Sequence, residues 1–422
     1  MCRCLNVPAW VIAVALRACL AQLILSLPAN AAGWSTAMPL ADARTNMASA
    51  LLPDGRLLVA GGVNSANGTL SSAFVYDYLT NSWRSAGNMS VGRESATATL
   101  LPSAKVLIAG GAEPVSGFLS SAELYDPAKK SWSDIGSMSF PRYGHTATLL
   151  STGKVLVVGG SGGDLGYLSS AELYDPESNS WKPVASLPNA RSFHTACLLP
   201  SGKVLVIGGI GTSLTPQPPV LYDPVANTWS GAGSMLQNRS QSTATLLPSG
   251  NVLVAGGYND IAPYVLRSAE LYHPATNTWS AARSMRDERG LHSATLLANG
   301  KVLVAGGQGI TYGSFATYWA SAELYDPATN AWSDAGTMSA PHPFPNATLL
   351  ANGKVLVIGG RAADLYDPTP FIAPGIQAIP ALNLAGLFFL SLVLLLTPFA
   401  LAGLRRRDPL VDVGNRRRRS SP

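Results

Sequence analysis

Six arginines and one histidine recur at nearly even intervals: Arg44, Arg93, Arg142, Arg191, Arg239, Arg289 and His342. A guanidinium offers a fixed fork of donors, so such a series could hold a carboxylate or a sulfate. One arginine per unit, tying neighbouring backbone together, would give the same series. Both roles are open from the pattern alone. His145, His194 and His292 each follow one of these arginines by three residues, and His273 stands in a turn. No two histidines have the spacing of a metal site. Cys197 is the one cysteine between residues 33 and 377, which excludes an intramolecular disulfide there. Nucleophile elbow, phosphate-binding loop and dinucleotide fingerprint are all absent from the sequence. The expectation is no catalytic residue, no metal and no cofactor.

Aromatic side chains gather in two segments, as Tyr258, Tyr264, Tyr312, Phe315, Tyr318 and Trp319. Exposed rings stack on sugar faces or anchor protein partners, and they can equally pack a loop onto its support. Glu113, Asp164 and Asp260 lie in comparable segments, too scattered for a calcium loop.

The elements that must position these groups repeat with them. Gly-Gly pairs begin at residues 61, 110, 159, 208, 256, 306 and 359, and Trp34, Trp83, Trp132, Trp181, Trp229, Trp279 and Trp332 keep the same spacings. A tyrosine column, Tyr76 to Tyr366, runs in step. Each period holds four strand-length pieces, with Ser-Gly and Asn-Gly turns supplying the positive φ of tight hairpins. The second piece, such as Val155 to Val158, is apolar on both faces, as expected of a strand between two sheets. A four-stranded repeat of about 45–50 residues is a propeller blade. Low charge (13%) with 41 glycines and 30 prolines agrees with many short strands.

Gly-Gly, then Tyr-Asp-Pro, then Trp seven residues after the Tyr resembles the kelch repeat. The match runs from Gly33 to Pro368, with His273 replacing the motif Asp once and Tyr78 replacing its Pro once. The resemblance implies an all-β, seven-bladed propeller over 33–370. It also implies that arginines near the loops can hold acidic peptides or sugars. Some kelch propellers are copper-radical galactose oxidases, which need a Cys–Tyr crosslink, two histidines and a second tyrosine. Cys197 sits instead at a strand position shared with Thr148 and Thr245, and each histidine has a place in the repeat. Metal-free sugar mutarotases of this fold need only arginines and acids, which leaves that activity as the alternative. Position 373, where the seventh Trp belongs, is Ala373, whereas Trp34 precedes the first Gly-Gly. The strand around Trp34 is therefore expected to complete blade seven, leaving no free sheet edge.

The termini carry the charge. Residues 1–32 have net charge +2, residues 378–422 have +5, and the body between them has −2, which argues against nucleic-acid binding. A basic start, a ten-residue apolar stretch and Ala29-Asn30-Ala31 form a secretory signal over 1–31, cut after Ala31. Residues 382–404 form a 23-residue run without charge, and Arg405, Arg406 and Arg407 follow at once. About 35 Å of helix would cross a bilayer. The basic tail, 405–422, marks the cytoplasmic side. Ile379, Pro380, Ala381 and Leu382, in the linker 371–381, resemble an IPTL-CTERM sorting signal, a relative of PEP-CTERM, with Ala381 in place of the usual Thr. That resemblance implies a bacterial surface protein cut by an exosortase-like peptidase. A plain stop-transfer anchor fits the same span.

The expected function is non-catalytic binding of a glycan or protein partner by an exported, membrane-anchored propeller. The ligand is expected toward blades five to seven, near Arg239, Arg289 or His342 and the aromatic loops. A periplasmic reporter fused after residue 377 is expected to be active and a cytoplasmic one silent. The reverse result would refute the orientation read from the arginine clusters.

Overall fold

The computed structural model describes residues 33–369, apart from 115–116, 213–214, 216, 261–263 and 312–314, with side chains undescribed over 310–316. The signal peptide, linker, sorting motif, membrane span and basic tail lie outside the described residues. Seven four-stranded antiparallel sheets follow one another along the chain, six of them meanders in chain order and the seventh completed by the N-terminal strand. Blade three shows the plan: Thr146–Leu149, Val155–Val158, Ala171–Asp175 and Ser180–Val184. First strands of consecutive blades face one another around the central channel.

The second strand explains the stacking. All four residues of Val155–Val158 are fully buried. Because side chains alternate along a strand, Val155 and Val157 pack against Leu107 and Ala109 of blade two. Leu156 and Val158 pack against Val204 and Val206 of blade four. Seven such clusters fill the seven interfaces between blades. The Gly-Gly pair ending the second strand is required by close approach in blades one to six. A Cβ on Gly159, at φ 59°, would stand 2.6 Å from the Arg191 carbonyl oxygen.

Tryptophan fastens the outer edge. Each column Trp after Trp34 packs on the Tyr seven residues earlier, as in Tyr174–Trp181 with centroids 5.1 Å apart, and donates its indole N–H to the preceding blade. Trp132 donates to the Ala86 carbonyl at 2.8 Å and Trp229 to that of Ala185 at 2.7 Å. Blade seven closes as expected. Gly33–Thr36 pairs antiparallel with Ala362–Asp367, in register from Gly33↔Asp367 to Thr36↔Asp364. Trp34 packs at a tilt against Tyr366 and donates to the Ala335 carbonyl of blade six at 2.7 Å. Trp83 of blade one donates to Met38 at 2.8 Å, so the fastening crosses the seam.

Trp34→Ala removes a half-buried ring and its hydrogen bond, and is expected to cost about 2–4 kcal/mol. Deleting residues 33–40 should destabilise the propeller more than deleting a surface loop of equal length, with aggregation from the bared edge. Thermal melting checks both, and an unchanged transition in either variant would refute the closing strand.

Candidate functional site

The arginine column lies inside the framework. All six arginines are at most 1% exposed. Arg142 shows the pattern: Nη1 donates to the carbonyls of Gly159 at 2.8 Å and Ser170 at 3.0 Å, and Nη2 donates to Glu172 at 2.8 Å. The same carboxylate accepts the Ser139 amide, three residues before the arginine, at 2.9 Å. One ion pair thus ties together the loop before the blade, the end of its second strand and its third strand. Arg93–Glu123, Arg239–Glu270 and Arg289–Glu323 repeat it at 2.8, 2.6 and 3.0 Å. His342–Asp364 replaces it in blade seven at 2.7 Å. In blade one Phe74 takes the carboxylate's place, with Arg44 over its ring, and Asp42 supplies the charge at 3.3 Å. Of the two roles open to this column, the geometry gives it the structural one.

The residues after each arginine form the channel mouth. The second after it is left-handed in every blade: Asn46, Ser95, Gly144, Phe193, Gln241, Leu291 and Phe344, with φ between 51° and 66°. Such φ values strain a non-glycine residue, and bulky Phe or Leu especially. Backbone hydrogen bonds link them from blade to blade. Ser95 N–H donates to the Asn46 carbonyl at 2.8 Å, Phe193 to Gly144 at 2.8 Å, and Gln241 to Phe193 at 2.9 Å. All seven line a cavity of about 490 Å³, together with Thr97, Tyr143, Ser242 and Asn346. Tyr143 stacks on Phe118 with centroids 5.2 Å apart and meets the Phe193 edge at 5.6 Å. The wall is therefore aromatic surface interleaved with neutral hydrogen-bonding groups.

His145, His194 and His292 also line this cavity, each at most 7% exposed. Burial, helped by the adjacent column arginine, pushes all three down to about 3, so they are neutral at pH 7. Their Nε2 atoms hydrogen-bond Thr97, Thr146 and Thr243 of the preceding blades at 3.1, 2.9 and 2.9 Å. Acid–base work at neutral pH does not suit imidazoles held this way.

The Attractin/LZTR1 beta-propeller family matches residues 29–259, more than half of the chain, and a kelch motif matches residues 245–286. The chain belongs to that propeller family. No curated protein matches its sequence. Among solved structures it is similar to a novel fungal alcohol oxidase of the AA5 family in complex with copper. That oxidase is 19% identical with a TM-score of 0.67, and the match covers 82% of this chain and 79% of the oxidase. YjhT is 15% identical with a TM-score of 0.55, covering 72% of this chain and 100% of YjhT. At these identities the likeness is one of fold.

This Attractin/LZTR1-type propeller does not fit a copper centre in its described part. No three His, Cys, Asp or Glu side chains converge among the described residues. Cys197 lies on the first strand of blade four, half-buried against Val252 and Tyr272 of blade five, and burial pushes its thiol up to about 11.

None of the arginines, aromatics or His342 put forward from the sequence as ligand contacts lines the cavity. Tyr258 packs against Gly290 with its phenol pushed up to about 12 by burial. Trp319 donates its indole N–H to the Glu288 carbonyl at 2.8 Å, which fixes its own loop. Tyr264 is 57% exposed and Tyr318 40%, the latter 6.5 Å from Phe344. Among the described residues Tyr318 is thus the one sequence candidate in ring contact with the cavity wall. Tyr312 lies outside the described residues.

The arginine framework gives a graded expectation. Arg142→Ala strands the buried Glu172 and is expected to cost about 3–5 kcal/mol. Arg191→Ala strands no carboxylate, because Val220 occupies the matching position, and is expected to cost about 1–2 kcal/mol. Denaturant unfolding of the two variants checks the order, and equal losses would count against the clamp.

Proposed function

We propose that the protein is an exported, membrane-anchored kelch propeller whose channel mouth binds a glycan without catalysis. The carrying observation is the ring of seven left-handed residues around the cavity, six of them strained non-glycines. Backbone strain of this kind is retained where it serves a site. Phe193, Tyr143 and Phe344 offer faces for the C–H surfaces of sugar rings, and Asn46, Gln241, Ser242 and Asn346 offer donors and acceptors for hydroxyls. No Asp, Glu, Lys or Arg lines the cavity among the described residues, and its histidines are neutral. That favours holding a sugar over turning it over. Export and anchoring rest on the signal sequence, the 382–404 span and the arginines after it, with the sorting-type motif at 379–382 supporting surface display. A protein partner docked over the mouth is the other outcome.

The full chain in detergent, applied to a glycan array, is expected to bind selectively. Phe193→Ala and Gln241→Ala should each weaken that binding roughly tenfold, about 1.4 kcal/mol, with melting unchanged. Sugar turnover in a mutarotase assay, or glycan binding indifferent to both changes, would overturn the reading. Silence on every glycan would pass the mouth to a protein partner.

A further inference from the structure

Blade four breaks the arginine pattern in a way that points to a ligand. Arg191 is fully buried, and its Nη1 donates to the carbonyls of Gly208 at 3.2 Å and Pro218 at 2.7 Å. Its Nε donates to Asn189 at 3.3 Å. Among the described residues its Nη2 has no partner, and it is shut off from solvent. Arg93, Arg142, Arg239 and Arg289 each place that atom on a glutamate of the third strand, and Arg44 places it on Asp42. Val220 stands in the glutamate's register, opposite Val206 as Glu172 is opposite Val157. The second half of the carboxylate's site has changed too. The amide that Ser139 and Leu236 donate to the glutamate falls at Pro188, which has no N–H. Asn189 remains, in the position from which Gln237 and Asp287 donate their amides in blades five and six.

A buried guanidinium without a counter-charge is costly by several kcal/mol, and the rest of the column shows the charge matched in place. Burial alone pushes Arg191 down to about 10, which leaves it cationic at neutral pH. Valine lacks the three atoms of a carboxylate, so the counter-charge that belongs here is small. Its inaccessibility excludes a carboxylate presented by a macromolecule. We propose that Arg191 Nη2 and the Asn189 amide hold a monovalent inorganic anion of chloride size, as a structural ligand of blade four. The site is independent of the channel mouth, and its failure would leave the glycan reading untouched.

The test is thermal melting of the full chain as chloride replaces gluconate at constant ionic strength. Melting temperature is expected to rise by about 3 °C between chloride-free buffer and 0.5 M chloride. Arg191→Met should flatten that response. Should Arg191→Met not fold, the double variant Pro188→Ser, Val220→Glu decides, since it builds the carboxylate and its amide donor into the blade. The double variant should melt higher in gluconate and ignore chloride. A native chain indifferent to chloride would overturn the proposal, as would a double variant that keeps the full response. Bromide soaked into crystals should give an anomalous peak at Arg191 Nη2, and a clean map there would also refute it.

Discussion

A guanidinium buried between two carbonyls and a carboxylate is the interaction on which the arrangement of this propeller depends. Neutral packing holds blades face to face, but it does not fix where the loop before each blade sits. The column arginine does. By donating to the end of the second strand and the start of the third, it seats the loop at one distance from both. The glutamate in turn accepts that loop's amide, so the buried charge is matched and, among the described residues, the Arg142 Nε is the one guanidinium nitrogen without a partner. Two residues further on the chain must turn left-handed to reach the first strand. The channel mouth therefore inherits its geometry from groups that never touch it.

Two departures from the pattern come in pairs, whereas blades one and four keep the arginine without its glutamate. Blade seven shortens both partners at once, to His342 and Asp364. At the opposite end of the sheets, Lys154–Asp175 and Lys301–Asp326 join second and third strands at 2.8 and 3.1 Å. Blade five has Asn251 and His273 at those two positions, and the imidazole bonds Ser280 instead. Removing one member of a charged pair leaves the other uncompensated, which is worse than having neither. Repeats of one chain thus show the coupling that would otherwise need a set of related proteins.

The repeat made much of the fold legible. Glycine, tryptophan and tyrosine columns record backbone approach and edge fastening, which act identically in every blade, so blade number and closure by Trp34 could be read from spacing. The arginine column was visible but its role was not, because the carbonyls it binds leave no mark in a sequence. Its carboxylate did leave one, as Glu123, Glu172, Glu270, Glu323 and Asp364, two residues before the column Tyr in five of the seven blades. The mouth residues escaped notice because they share no chemistry. Asn46, Ser95, Gly144, Phe193, Gln241, Leu291 and Phe344 share only a backbone angle. A column that varies freely beside one that does not was the available signal. The aromatic loops misled for the opposite reason: Trp319 has the right type for a ligand and spends its polar edge on its own support.

The pairing of Gly33–Thr36 with Ala362–Asp367 has a further meaning in time. The first strand to be synthesised must wait for nearly the last. At about 5–20 residues per second, roughly 15–60 s pass before its partner exists. Through that interval Trp34 has neither Tyr366 to pack on nor Ala335 to bond, and blade one lacks the Met38 carbonyl in place for Trp83. Blades two to six can assemble on local contacts as they are made, while the ring stays open at one point. Closing it is a single long-range step with a loop-closure cost, and such steps are slow. The order of synthesis therefore keeps the propeller a curved, unlocked stack until its seventh blade is made, and the lock is set last.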